Sequence, residues 1–136
     1  MALRKNAKLE LLKQVPLFGD CSKRELEEIA KIADEIDFRE GKELTREGAP
    51  GREFFILVEG TAEVTQGKRK LRTMSDGDFF GEISLITRLP RTATVTTVSP
   101  VHALVITDRS FRRLLEGDRT IQRKVLAALG ERLDVP

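Results

Sequence analysis

The chain has 136 residues, 40% hydrophobic and 34% charged, which is enough apolar material for the core of one domain and too much for a disordered segment. Its 24 basic and 22 acidic residues leave a net charge of +2 with the signs interspersed, so the large basic field that direct nucleic-acid binding uses is missing. One cysteine (Cys21) excludes an internal disulfide, one histidine (His102) excludes a multi-histidine metal site, and no apolar run approaches the ~20 residues of a membrane helix; a cytoplasmic protein with no membrane partner is expected.

Residues 5–14 predict a short helix, with Leu9, Leu11 and Leu12 set among lysines. Pro16 breaks it, because proline disfavours helical backbone at the residue before it. Ser22 and Glu25 form a capping box for a second helix. Leu26, Ile29, Ala30, Ala33 and Ile36 then recur at helical spacing, so helical structure is expected over 5–36. From Asp37 short segments rich in β-formers alternate with glycine-containing turns. Strands are expected at 42–46, 54–58, 61–65, 70–73, 92–98 and 101–106, with a helical turn at about 82–87 interrupting them. Regular short strands of this kind indicate a barrel or sandwich. After Ile106, Thr107 or Asp108 caps a helix bearing Phe111, Leu114 and Leu115, which Gly117 ends. A last helix carries Ile121, Val125, Ala128, Leu129 and Leu133 on one side. The order predicts a single α+β domain over 1–136: an antiparallel β-roll (a jelly-roll-like barrel) at 37–106, flanked by the N-terminal helices and by two C-terminal helices at 107–134.

The run from Phe79 to Val95 carries the chemistry. It sets a carboxylate, Glu82, and a guanidinium, Arg91, around a glycine-led helical turn. A helix N-terminus offers unpaired N–H groups and partial positive charge to an anion. Arg91 adds a bidentate, charge-assisted contact to phosphate oxygens. Glu82 does not favour a phosphate, so its partner is a hydroxyl pair of the kind ribose offers. Gly81 lets the backbone approach without a Cβ in the way. A ligand with both phosphate and sugar fits this set.

Phe80-Gly81-Glu82, Leu85 and Arg91-Thr92-Ala93-Thr94-Val95 closely resemble the phosphate-binding cassette of the cyclic nucleotide-binding domain family, whose members include protein kinase A regulatory subunits, the catabolite activator protein and cyclic nucleotide-gated channels. Upstream, Phe38 with Gly41, Arg46-Glu47-Gly48, Gly51, Phe55-Ile56-Leu57, Glu59-Gly60 and Asp76-Gly77-Asp78 extend the likeness, which covers roughly 15–134. The resemblance implies the β-roll fold with the cassette at 79–95. It implies cAMP or cGMP as ligand and no cofactor. By the same resemblance Arg91 binds phosphate, Glu82 accepts from the ribose 2′-hydroxyl, and Gly81, Ile83 and Ser84 give backbone N–H groups. Thr92 holds the position where a threonine hydroxyl reaches a guanine folded over its ribose; as a bland alternative it is a strand threonine chosen for β propensity. Arg132 on the last helix stands where the family's lid contacts the base, with Arg123 a weaker candidate. A solvated helix arginine is the alternative for both. His102 reads as a strand residue, and Asp76 and Asp78 as turn residues.

The expected function is a non-catalytic regulatory module that binds a cyclic nucleotide, with cAMP slightly favoured over cGMP, and signals by rearrangement of its C-terminal helices. The alternative is the sensor domain of a catabolite-activator-type transcription regulator whose DNA-binding part is absent from this chain. A homodimer or an effector protein at the C-terminal helix is the expected macromolecular partner. No phosphate loop of the G-x-x-x-x-G-K-[ST] type and no G-x-S-x-G elbow points to an enzyme.

Overall fold

The protein, seen as a computed structural model, is described over residues 3–82, 84–87 and 89–133, with the backbone alone at 84 and 131–133. Two compact units divide it: Asp34–Asp108, and Met1–Ala33 with Arg109–Pro136.

Period-two alternation builds the first unit. Its strands are β1 (Asp34–Phe38), β2 (Glu43–Thr45), β3 (Glu53–Glu59), β4 (Ala62–Gln66), β5 (Arg69–Met74), β6 (Phe79–Phe80), β7 (Thr94–Thr97) and β8 (Val101–Thr107). They form two four-stranded antiparallel sheets, ordered β1-β8-β3-β6 and β2-β7-β4-β5. Every second residue of β3 and β8 (Phe55 and Leu57; Val101, Ala103 and Val105) faces Ala62, Val64, Met74 and Val95 of the other sheet in one buried cluster. Alternating side chains on a half-buried pleated surface produce this pattern. This is the expected α+β β-roll, with the cassette helix α3 (Ser84–Thr87) inserted between β6 and β7.

Three details differ from the sequence expectation. The helix expected to reach Ile36 ends at Lys31, and Asp34–Phe38 is a strand. Its five residues pair with β8 from Asp34↔Val105 to Phe38↔Val101, and Phe38 lies edge-on to Phe55 with ring centroids 6.2 Å apart. Ala33 and Ile36 keep helical spacing by coincidence: sheet pairing outweighs local propensity there. Phe79-Phe80 forms a two-residue strand against Phe55 and Ile56, too short to show a period. The strand expected at 92–98 is confined to Thr94–Thr97.

The turn before β6 follows the expected chemistry. Asp78 Oδ2 accepts from Ser75 N at 2.8 Å, Asp76 Oδ1 accepts from Gly60 N at 2.9 Å, and Gly77 N donates to Leu57 O at 2.7 Å. Side-chain carboxylates satisfying nearby N–H groups fix such turns and here set Phe80 against Phe55, stacked at 4.9 Å.

The second unit contains α1 (Lys5–Lys13), a 3₁₀ turn (Pro16–Phe18), α2 (Lys23–Lys31), α4 (Asp108–Gly117) and α5 (Arg119–Leu133). The capping box is present: Ser22 Oγ accepts from Glu25 N at 3.2 Å, and Ser22 N donates to Glu25 Oε1 at 2.7 Å. Glu25 is 2% exposed and also accepts from Lys124 Nζ of α5 at 2.6 Å. That bond, with the Ser22 amide bond, lowers the Glu25 carboxyl to about 2. Asp118 Oδ1 caps α5 through Thr120 N and Ile121 N. Ile121, Val125 and Leu129 form the buried side of α5, and Phe18 meets Phe111 at 5.8 Å.

Candidate functional site

Two chain reversals bring the cassette residues together. Pro50 bridges to Pro90, Arg91 N donates to Ala49 O and Gly48 N to Arg91 O, both at 2.8 Å. These bonds lock the Arg91 backbone to the loop after β2. Its side chain then reaches β3, where Nη2 donates to the carbonyl oxygen of Glu53. Gly81 sits beneath the guanidinium. Its φ is +88°, and a Cβ there would meet Arg91 Nη1 and lie 2.8 Å from Glu53 O and 3.1 Å from Arg91 Cζ. A glycine is required for both reasons, the left-handed backbone and the close approach. Burial pulls the Arg91 guanidinium below its ordinary value, while the Glu53 and Glu82 carboxylates pull it back up; an arginine so placed keeps its charge. Glu82 is buried, 6% exposed, and its carbonyl accepts from Leu85 N at 3.3 Å at the start of α3.

Beside this cluster lies a cavity of about 430 Å³, bordered by Gly81, Arg91 and Thr92, with Met74, Val95 and Phe80 among its apolar lining. The size suits a small molecule, for which pockets run roughly 300–1,000 Å³. Arg91 thus presents a half-buried cation at the wall of a largely apolar cavity, where an anion is held more strongly than in open water.

The structure therefore brings Gly81, Glu82, Arg91 and Thr92 into one place. Glu82 is not part of the cavity lining and sits close to the guanidinium. Thr92 is exposed at the cavity wall, with its carbonyl accepting from Gln66 Nε2 at 3.0 Å. Ser84 opens α3, with its side chain outside the described residues; Ile83 lies outside them altogether. Arg132 is on α5, its side chain likewise outside the described residues, and Arg123 is exposed on the same helix.

Sequence reasoning missed three contributors. Arg72 and Leu71, neighbours on β5, both border the cavity. Regular alternation would turn one of them away. Pairing runs Val64↔Arg72 and then Thr65↔Lys70, so Leu71 is an extra residue opposite no partner. A bulge of this kind re-aims the side chains around it. The third is Glu53, whose carbonyl holds Arg91; a backbone acceptor leaves no signature in sequence. His102, read as a plain strand residue, lies on β8 with Nδ1 2.7 Å from Asp37 Oδ1 and Nε2 2.8 Å from Glu35 Oε1. The Glu35 bond first, then Asp37, raises its pKa.

A β-roll with a glycine-arginine-carboxylate cassette at the wall of an apolar cavity defines a small-anion-binding module. The family model described as "Cyclic nucleotide-binding domain" matches residues 35–118, and the chain belongs to that family. The cAMP-dependent protein kinase regulatory subunit of Mycosarcoma maydis is 38% identical over 118 residues, covering 78% of this chain and 22% of the relative. The cGMP-dependent protein kinase, isozyme 1, of Drosophila melanogaster is 35% identical over 115 residues, covering 79% and 15%. The chain spans about a fifth of the length of these curated relatives. Among solved structures, the N-terminal domain of a transcriptional regulator from Streptomyces coelicolor A3(2) superposes with a TM-score of 0.83 at 25% identity, covering 90% of this chain and 91% of that one. A cyclic nucleotide-binding-like protein from Brucella abortus superposes with a TM-score of 0.75 at 28% identity, covering 81% and 98%. No helix among the described residues is long and apolar enough to cross a membrane.

Proposed function

We propose that this chain is a non-catalytic regulatory module that binds a cyclic nucleotide in the β5–cassette cavity and passes the signal on through α4 and α5. The carrying observation is Arg91, half-buried at the cavity wall, packed on Gly81 and set between the Glu53 carbonyl and the Glu82 carboxylate. In this reading Arg91 exchanges its backbone partner for phosphate oxygens, the Gly81 segment lines the ribose, and Glu82 takes the ribose hydroxyl.

For the base, the sequence leans slightly to cAMP, and the cavity adds an argument for cGMP. Arg72 borders it together with Thr92. A guanidinium offers donors only. Guanine accepts at both O6 and N7, whereas adenine pairs one acceptor, N7, with an amino donor. Arg72 therefore favours guanine, and the Thr92 hydroxyl adds a partner for it. cGMP is the ligand these two residues support.

The output is protein-borne: an effector or a second copy contacting the C-terminal helices, in the cytoplasm. The kinase-regulatory relatives favour an effector of that kind. A second reading, the sensor part of a transcription regulator, draws on the likeness to the Streptomyces coelicolor domain. Calorimetric titration of nucleotide-stripped protein with cGMP, cAMP and 5′-AMP tests the proposal. Micromolar or tighter binding of a cyclic nucleotide, with 5′-AMP much weaker, is expected. Arg91→Ala should weaken it by about 2–5 kcal/mol. Wild-type affinity in that variant removes the cassette from the site.

A further inference from the structure

A run of cations extends away from the cavity wall beyond Arg72. The β4–β5 hairpin carries Lys68, Arg69, Lys70 and Arg72 within five consecutive residues, all exposed. Among the described residues, the carboxylate paired with this run is Glu63, 3.9 Å from Lys70; Glu47, at the hairpin tip, accepts from Gly67 N at 2.8 Å. Among the described residues, no carboxylate pairs with Lys68 or Arg69. Of the chain's 24 basic residues the hairpin run holds four; the remaining 20 stand against 22 acidic residues, so the chain's net charge of +2 depends on the hairpin. The concentration of four cations on one hairpin is therefore local. Its inner end, Arg72, is already part of the cavity wall.

Basic residues on an edge strand commonly deter pairing with other chains, and β5 is the edge of its sheet. The bulge at Leu71 serves the same end. Neither purpose requires the run to continue into the cavity wall, as it does at Arg72, three residues from Arg69 and four from Lys68. Charges of one sign beside a low-dielectric cleft focus the field and raise the arrival rate of an oppositely charged ligand. The acidic residues near Arg91 make such help useful. Glu53 and Glu82 set two carboxylates around one guanidinium, so the inner site is not itself a strong long-range attractor of anions.

We infer that Lys68 and Arg69 are steering residues: they draw an anionic nucleotide to the cavity mouth and set its association rate without touching the bound ligand. The inference rests on the cyclic-nucleotide reading of the cavity. It assigns a role to two residues outside that site, and the role is kinetic. Their removal slows association and leaves dissociation alone.

The test is stopped-flow association and dissociation of a fluorescent cGMP derivative with an uncharged fluorophore, over a series of salt concentrations. The variants are the double charge reversal Lys68→Glu/Arg69→Glu and the neutral pair Lys68→Gln/Arg69→Gln. Three residues of strand at about 3.3 Å each separate Arg69 from Arg72, and for charges at roughly that 10 Å screened Coulomb attraction predicts that the reversal slows association about sevenfold at 0.01 M salt and about twofold at 0.15 M. The neutral pair should slow it about threefold at 0.01 M, which keeps the test open if the reversal disturbs folding. Dissociation rates should match those of the unmutated protein. Unchanged association at low salt would overturn the inference. So would an effect that does not fade with salt, or one carried by dissociation, since each means contact rather than steering. A protein that binds no cyclic nucleotide in the calorimetric titration removes the underlying reading, an outcome distinct from normal binding with unaltered rates.

Discussion

Gly81 offers the sharpest perturbation of the candidate site, because the protein supplies its own control. Gly81 and Gly77 share nearly the same left-handed φ, +88° and +89°. A Cβ at Gly77 meets nothing within 4 Å, whereas at Gly81 it meets the Arg91 guanidinium and lies 2.8 Å from the carbonyl oxygen of Glu53. Alanine at either position pays the left-handed backbone penalty, about 1–2 kcal/mol. Only at Gly81 must a carbonyl and an arginine move as well, and overpacking of that kind adds about 1–3 kcal/mol. At about 4 °C per kcal/mol for a domain of this size, Gly77→Ala should lower the melting temperature by about 4–8 °C. Gly81→Ala should lower it by about 8–20 °C. The displacement of Arg91 should also cost ligand affinity in Gly81→Ala alone. Thermal denaturation followed by calorimetric titration reads both effects. Equal melting shifts with equal affinities would refute the claim that close approach to Arg91, rather than backbone freedom, requires the glycine.

The remaining expectations concern base choice, the buried Glu25 carboxylate and the His102 cluster. Arg72→Gln should weaken cGMP about tenfold or more, the worth of a good bidentate base contact, and leave cAMP nearly unchanged in the same titration. Thr92→Ala should act in the same direction, and equal losses for both nucleotides would return each residue to a structural role. Lys124→Met leaves the buried Glu25 carboxylate without its cation, so chemical denaturation should show a loss of about 3–5 kcal/mol at neutral pH. In the unmutated protein Glu25 is lowered from 4.5 to about 2, so its contribution is complete above about 4.5 and disappears as pH falls towards 2; in Lys124→Met that acid-dependent loss should be smaller, because only the Ser22 bonds then hold the carboxylate. The His102 pKa is raised from 6.5, so its contribution is present below 6.5 and lost as pH rises through the higher folded value. An NMR titration should show a larger downward shift in Glu35→Gln than in Asp37→Asn, because Glu35 is 24% exposed and Asp37 82%. An ordinary His102 titration in the unmutated protein would refute the bracketing.

Much of the fold was legible because local and tertiary preferences agree over most of the chain. The capping box at Ser22 and Glu25, the alternation in β3 and β8 and the turn aspartates all formed as the residues dictate. The failures are places where pairing with a distant strand decides. Asp34–Phe38 is a strand only because β8, more than sixty residues later, offers it five partners; nothing in Asp-Glu-Ile-Asp-Phe announces that. The same holds for the site. Gly81, Glu82, Arg91 and Thr92 stand in one short run and were found there. Arg72 entered through a bulge whose cause lies in its register with β4, and Glu53 through its backbone oxygen.

The electrostatics of the site follow from that arrangement. In the proposed reading, a phosphate approaching Arg91 meets a cation already half-buried by folding, so part of its desolvation precedes the contact. The same burial brings the Glu82 carboxylate close, and its charge subtracts from the attraction that an anion feels at a distance. Short-range grip and long-range attraction are thus opposed at this position. In that reading, tight binding follows only once the ligand has arrived with a hydroxyl rather than an anionic oxygen facing Glu82. Arrival is better served by cations kept outside the pocket, on an exposed hairpin where solvent screens them from the carboxylates. Lys68 and Arg69 occupy such a place, which is why the division between grip at Arg91 and capture at the hairpin should be visible in separate rate constants.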